Sequence, residues 1–133
     1  MVISTASPRP ARRLAAAALV GAVFGLTAAC GGDNGPELSA PAAEGREIMR
    51  NSGCAGCHGQ NGEGGVAPSW HDLYGSTVEL DDGDTVTADD DYLRRSITDP
   101  RADQVAGYTL LMPTNSLSEQ EVDAVIAYIQ ELG

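Results

Sequence analysis

The sequence predicts a small all-α domain of three to five short helices that carries one β-hairpin. Three observations lead to this prediction. Apolar residues recur at helical spacing near the C-terminus, an Asp-Gly turn separates two short alternating stretches, and a Cys-x-x-Cys-His run follows a candidate first helix. The chain of 133 residues has room for one such domain and an additional N-terminal segment.

The first two helices are predicted from the residues that begin and end them. Residues 43–52 form the first helix, and Gly53 is suited to its C-terminus. Residues 89–98 form the next helix, for which Thr87 is the predicted start. Pro100 cannot continue a helix and ends this one.

The last helix and the hairpin have clearer signals. Ser118 is the predicted N-cap of the last helix, and Glu121 completes a capping box. Its apolar stripe consists of Val122, Val125, Ile126, Ile129 and Leu132. Residues 77–80 and 85–87 form the two arms of the hairpin, and residues 70–74 form a short helical turn.

The charge of the chain is strongly acidic and unevenly distributed. There are 19 acidic residues and 8 basic ones, and all the basic residues are arginines. Three of them, Arg9, Arg12 and Arg13, lie in the first 29 residues, where no acidic residue occurs. Because phosphate binding requires a basic surface, the composition argues against a nucleic-acid partner.

Residues 1–29 have the order of a secretory signal peptide. A basic stretch precedes an uncharged apolar run over residues 14–26, and small residues follow. The alternative to a cleaved signal is an uncleaved membrane anchor. A membrane-spanning helix requires about 20 apolar residues, so this run is short for an anchor. The expected location is therefore the periplasm or the outer face of a bacterial cytoplasmic membrane.

Cys30 directly follows the small residues at the end of this signal. The stretch at residues 26–30, Leu-Thr-Ala-Ala-Cys, resembles the lipobox of bacterial lipoproteins, which implies that Cys30 is lipidated and anchors the protein to the membrane. The alternative is ordinary cleavage that leaves a free thiol. Residues 30–42 are rich in Gly and Pro and are predicted to be a flexible tether, and residues 43–133 are predicted to be the folded domain.

Cys54, Cys57 and His58 form the haem-attachment motif C-x-x-C-H. Two thiols at this spacing can add to the two vinyl groups on one edge of the macrocycle, and the next residue then offers an imidazole to the iron. A thioredoxin-like redox pair would require a βαβ context, and a zinc site would require four ligands. The prediction is one covalent haem c.

Met112 is the predicted second axial ligand of the iron. A Met and His ligand pair is common in electron carriers and raises the reduction potential. Met49 lies on the predicted first helix and is expected in the core instead. Two alternatives stay open: Met112 has only a packing role, or His71 is the ligand.

Residues 43–133 resemble the class I cytochromes c along their whole length. The resemblance implies that Pro68 accepts a hydrogen bond from the ligand histidine through its carbonyl. Tyr74 lies in a Leu-Tyr-Gly segment that matches the haem edge of the family, and Met112 lies in the matching ligand loop. The implied fold is a class I cytochrome c fold around one haem, with the hairpin as an insertion.

A narrower resemblance concerns residues 73–97, which are similar to the cytochrome c domain fused to subunit II of some bacterial cytochrome c oxidases. The copper-binding domain of those subunits does not occur in this sequence, which implies a free, lipid-tethered relative. The implied partners are redox proteins, with cytochrome c oxidase or a quinol-oxidising complex as candidates.

The expected function is the transfer of single electrons, with no small-molecule substrate and no enzymatic activity of its own. One alternative is a fixed electron-transfer subunit of a larger respiratory complex, which an exposed apolar rim would favour. Another is a haem sensor or a small peroxidase, which would require displacement of Met112. Two roles stay open for Arg94, Arg95 and Arg101: contacts to haem propionates or salt bridges to surface acids.

Overall fold

The computed structural model describes residues 37–133, which form four helices and one two-stranded antiparallel sheet. In chain order the elements are α1 (Ala40–Asn51), α2 (Ala55–His58), β1 (Thr77–Glu79), β2 (Thr85–Thr87), α3 (Asp90–Thr98) and α4 (Glu119–Gln130). This architecture confirms the predicted helical class with a hairpin. Within this range no helix is both long enough and apolar enough to cross a membrane. The predicted signal peptide and Cys30 lie outside the described residues.

Helix α1 begins three residues earlier than the sequence predicted, so residues 40–42 belong to it and not to the tether. The Ser39 hydroxyl accepts a hydrogen bond from the N–H of Ala42 at 3.4 Å and caps the helix. Pro41 lies in the first turn, where the lack of an N–H costs nothing. The Ser39 hydroxyl also donates to the Glu131 carboxylate at 2.5 Å, which links the start of α1 to the end of α4.

The other helix ends show which local signals were correct. Asp89 caps α3 by accepting from the N–H of Tyr92 at 2.9 Å, so the predicted start at Thr87 is wrong by two residues. The capping box of Ser118 and Glu121 at the start of α4 is confirmed. Residues 71–75 form turns and not a helix.

Helices α1 and α4 pack closely at Gly45. A Cβ atom at this position would lie 1.9 Å from the carbonyl oxygen of Ala124 and 3.0 Å from the Cβ of Tyr128. Only glycine permits this approach of the two helices. Met49, as predicted, and Tyr128 are fully buried beside the crossing, and the α1–α4 pair carries much of the core.

The hairpin is joined to the chain segment that follows α3. Strands β1 and β2 pair with Val78 opposite Val86. Beyond the hairpin, Leu80 forms an isolated antiparallel bridge with Val105, and the N–H of Ala106 donates to the carbonyl of Glu79 at 2.9 Å. The hairpin therefore fixes the start of the segment that contains Met112.

Candidate functional site

A cavity of about 630 Å³ brings together five of the six residues predicted to bind the cofactor. Its lining includes Cys54, Cys57, His58, Pro68 and Met112. The volume lies within the range of about 300–1,000 Å³ that is typical of small-molecule and cofactor sites. The predicted motif and the predicted loop ligand thus lie on one cavity.

The short helix α2 presents the two thiols and the imidazole. The N–H groups of Cys57 and His58 donate to the carbonyl of Cys54 at 3.1 and 3.0 Å, which winds the motif into one helical turn. Cys54 and Cys57 are free thiols and are partly exposed. Burial is the main cause that raises the pKa of Cys54, and this keeps the thiol protonated at neutral pH.

The loop after α2 folds back over the helix and delivers Pro68 to the imidazole. Gly59 ends α2. Its φ of 86° is a backbone conformation that residues with a side chain rarely adopt. The N–H of Gly64 then donates to the carbonyl of His58 at 2.7 Å, and the N–H of Ala67 donates to that of Cys57 at 3.2 Å. These two bonds hold the loop against the motif.

Two charged side chains fix the outer part of this loop. Arg50, near the end of α1, donates from Nε to the carbonyl of Gln60 at 3.0 Å and from its guanidinium to Asn61 Oδ1 at 2.6 Å. The Glu63 carboxylate accepts from the N–H of Asn61 at 2.6 Å. Bonds from backbone N–H groups, first that of Glu63 itself and then that of Asn61, lower the pKa of Glu63.

The His58 ring is oriented by the Pro68 carbonyl, which lies 2.8 Å from Nδ1. A carbonyl can only accept, so Nδ1 carries the proton. Burial lowers the pKa of His58, an effect that the Pro68 carbonyl partly offsets. The ring is therefore neutral at neutral pH, and Nε2 keeps the lone pair that a metal ligand requires.

Trp70 also contacts the His58 ring, whereas the sequence predicts for it only a place in a short helical turn. Its ring centroid lies 4.8 Å from that of His58 at an interplanar angle of 34°. On its other side it meets Tyr128 edge-on at 6.4 Å. Trp70 thus joins the imidazole to the α1–α4 core, and no local pattern in the sequence marks this role.

Tyr74 is the predicted cofactor residue that the structure does not bring to the cavity. Its side chain is 42% exposed, and its hydroxyl pairs with the Asp90 carboxylate at the start of α3. This bond to Asp90 is the main cause that raises the pKa of Tyr74. Leu73, the residue before it, lines the cavity instead.

The charged groups around the cavity are acidic. Asp72, Glu79 and Asp103 contribute to its lining, and no arginine does so among the described residues. Arg94 pairs with Asp123, and Arg95 pairs with Asp103 at 2.6 Å. Arg94 thus forms a salt bridge to a surface acid, whereas Arg95 forms one to an acid on the cavity lining.

The other candidate axial ligands have different surroundings. Met49 is fully buried in the core, which confirms the predicted packing role. His71 lines the cavity but is exposed, and its N–H donates to the Ser69 hydroxyl at 3.1 Å. Met112 is partly buried on the cavity lining, so its thioether is the better placed sulfur.

The residues present fit a covalently bound haem. Two free thiols three positions apart lie on the cavity, the adjacent imidazole is neutral with its Nδ1 already engaged, and a thioether lies on the same lining. Thiol, imidazole and thioether are the groups that attach haem c and bind its iron. A helical domain with these groups on one cavity defines a class I c-type cytochrome.

The chain belongs to the cytochrome c family, whose model, described as cytochrome c, matches residues 42–133. A protein described as cytochrome c-552 from Schinkia azotoformans is 54% identical to it over 37 residues, which cover 28% of this chain and 70% of that protein. Members of the family are electron carriers and not enzymes, and they bind haem c covalently through the C-x-x-C-H region.

Proposed function

We propose that this protein is a monohaem cytochrome that transfers single electrons outside the cytoplasm as a membrane-tethered carrier of a respiratory chain. In this proposal Cys54 and Cys57 form the thioethers, and His58 and Met112 bind the iron. The observation that carries it is the 2.8 Å contact between His58 Nδ1 and the Pro68 carbonyl, on the cavity that Met112 also lines.

Haem c supplies one-electron oxidation and reduction when it is bound. The chain's own residues contribute binding, orientation and burial. Pro68 keeps the proton on Nδ1 of His58, which makes the imidazole a stronger donor through Nε2. Trp70 packs on the same ring and limits its rotation. A thioether ligand from Met112 favours the reduced state and raises the potential.

The axial ligands are tested by replacing the two methionines separately. Met112→Ala should abolish the weak far-red sulfur-to-iron band of the oxidised protein and lower the reduction potential in an optical redox titration. Met49→Leu is the matched control, because it keeps a buried apolar side chain in the core and should retain both properties. A band that survives in Met112→Ala would assign the ligand to another residue.

Covalent attachment has its own test. The denatured protein, extracted with acidic organic solvent, should keep its red colour because two thioethers hold the haem. Haem that passes entirely into the solvent would contradict the roles of Cys54 and Cys57. The Cys57→Ala variant, left with one thioether, should show a shifted reduced spectrum in pyridine.

Membrane attachment through Cys30 forms the second part of the proposal. Residues 1–29 act as the signal, Cys30 is lipidated, and the chain from there to the start of α1 is the tether. One acyl chain anchors a protein only marginally, so stable attachment requires more than one, and a diacylated and N-acylated cysteine would satisfy this. Mass spectrometry of the mature protein should find a modified N-terminal Cys30, and Cys30→Ser should release the domain or stall processing. An unmodified Cys30 on a soluble protein would contradict this part alone.

The proposed electron acceptor is a terminal oxidase. The similarity of residues 73–97 to oxidase-fused cytochrome c domains supports it. Reduced protein, added to membranes that contain a terminal oxidase, should be oxidised at a rate that cyanide abolishes. A rate that cyanide leaves unchanged would direct the search to another acceptor.

A fixed subunit of a larger respiratory complex is the second candidate. Val66, Leu110 and Leu111 are 61%, 55% and 45% exposed, and Leu110 and Leu111 lie on the cavity lining. A contiguous exposed apolar patch marks a surface that a partner covers, and the adjacent Leu110 and Leu111 are the side chains that would form it. Native electrophoresis of mild detergent extracts separates the candidates, since a fixed subunit migrates with the haem groups of its complex and a carrier migrates alone.

A further inference from the structure

The segment of residues 106–117 carries Met112 and contains no helix or strand. At its start the Leu80–Val105 bridge holds it to the hairpin. Because the segment has no repeating structure of its own, its position depends on attachments at its two ends.

Asn115 supplies the second of these attachments. Its side-chain Nδ2 donates to the carbonyl of Ile97 at 2.7 Å, and its Oδ1 accepts from the N–H of Leu117 at 3.2 Å. Ile97 lies in the last turn of α3, where carbonyl groups lack partners within the helix. Leu117 directly precedes Ser118, the N-cap of α4. One amide therefore joins the end of α3 to the start of α4.

The position of this amide relates it directly to Met112. Only Pro113 and Thr114 separate the two residues, and the ring of Pro113 fixes one backbone angle. Three residues span at most about 10 Å, so the anchor limits how far Met112 can move. Ile97, Met112 and Asn115 line the same cavity.

We propose that Asn115 is the positioning residue that holds Met112 at the cavity, an inference that rests on the proposed function in which Met112 binds the iron. An amide is needed because it donates to one backbone group and accepts from another. An aspartate at position 115 can still accept from the N–H of Leu117 but has no N–H to donate to the carbonyl of Ile97. Its carboxylate would instead lie against that carbonyl oxygen. Asn115→Asp thus removes one bond and keeps the other.

The test compares two melting curves of the oxidised, haem-loaded protein. One follows the sulfur-to-iron band, and the other follows helix content by circular dichroism. In Asn115→Asp and Asn115→Ala the band should disappear well before the helices melt, because loss of one such hydrogen bond raises the detached population roughly 2- to 10-fold. Ser118→Ala is the control, since it weakens α4 but keeps the Asn115 bonds, and both of its curves should shift together.

The result that overturns the proposal is an Asn115 variant whose two curves shift together, as in Ser118→Ala. Met112→Ala, measured in parallel, shows whether the band reports on Met112. If the wild type lacks the band, the ligand assignment fails, and amide hydrogen exchange of residues 106–114 decides the role of Asn115. Faster exchange in Asn115→Ala than in Ser118→Ala supports the anchor, and equal exchange rejects it.

Discussion

Replacing Gly45 with alanine should destabilise the domain although alanine is the better helix former. The added Cβ would lie 1.9 Å from the Ala124 carbonyl oxygen, so backbone of α4 would have to move. Overpacking of this kind costs about 1–3 kcal/mol and occasionally more. The gain in helix propensity offsets about 1 kcal/mol of that cost. Because the obstacle is backbone and not a flexible side chain, we expect a net loss of about 2 kcal/mol.

Urea denaturation of the haem-loaded protein, followed by circular dichroism, measures this loss. Glu44→Ala is the control: it places alanine at the preceding, exposed position of α1 and should change the free energy of unfolding by less than about 0.5 kcal/mol. A Gly45→Ala variant as stable as the wild type, or more stable, would refute the close approach of α1 and α4. A Gly45→Ala variant that loses no more free energy of unfolding than Glu44→Ala would also refute the close approach of the two helices.

Three further predictions concern the core, a cap and the Tyr74 contact. Met49→Ala should lower the free energy of unfolding by about 2–5 kcal/mol, because it empties a fully buried site, whereas Met49→Leu should cost less than about 1.5 kcal/mol. Hydrogen bonds from the backbone N–H of Ser118 and, second, from its hydroxyl lower the pKa of Glu121. The ionised Glu121 carboxylate therefore stabilises the fold above the ordinary glutamate pKa. This stabilisation is lost as the pH falls through the lower pKa that Glu121 has in the folded protein. Glu121→Gln keeps the cap without the titration and should flatten the acid limb of a stability–pH curve; an unchanged limb would contradict this. Tyr74→Phe should lower the melting temperature through loss of the Asp90 contact and leave the potential unchanged, and a shifted potential would return Tyr74 to the cofactor site.

Much of the fold was predictable because its signals are local in the sequence. The box of Ser118 and Glu121 fixes the start of α4 with two residues three positions apart, and the Asp-Gly turn fixes the hairpin. The errors occurred where two local signals competed. Thr87 and Asp89 are both capping residues, but Thr87 ends strand β2, so Asp89 caps α3. Likewise Ser39 begins α1 inside a stretch whose composition indicated a tether.

The candidate site divides in the same way between local and distant determinants. Cys54, Cys57 and His58 are adjacent in sequence, and one turn of helix is sufficient to bring them together. The side chains that support them come from further away: Trp70 reaches His58 only after the loop folds back, and no local pattern marks such a contact.

The Met112 side of the cavity depends on tertiary structure throughout. The Met-Pro dipeptide identifies a candidate ligand, but its segment has no repeating structure of its own. One end of the segment is fixed at Val105, which pairs with the hairpin. The other end is fixed at Asn115, which donates to the carbonyl of Ile97, 18 residues earlier in the chain. Because both anchors are distant in sequence, a change in the hairpin or in α3 should alter the Met112 side before it alters the motif. The C-x-x-C-H half of the site is thus encoded locally, and the position of Met112 depends on the rest of the fold.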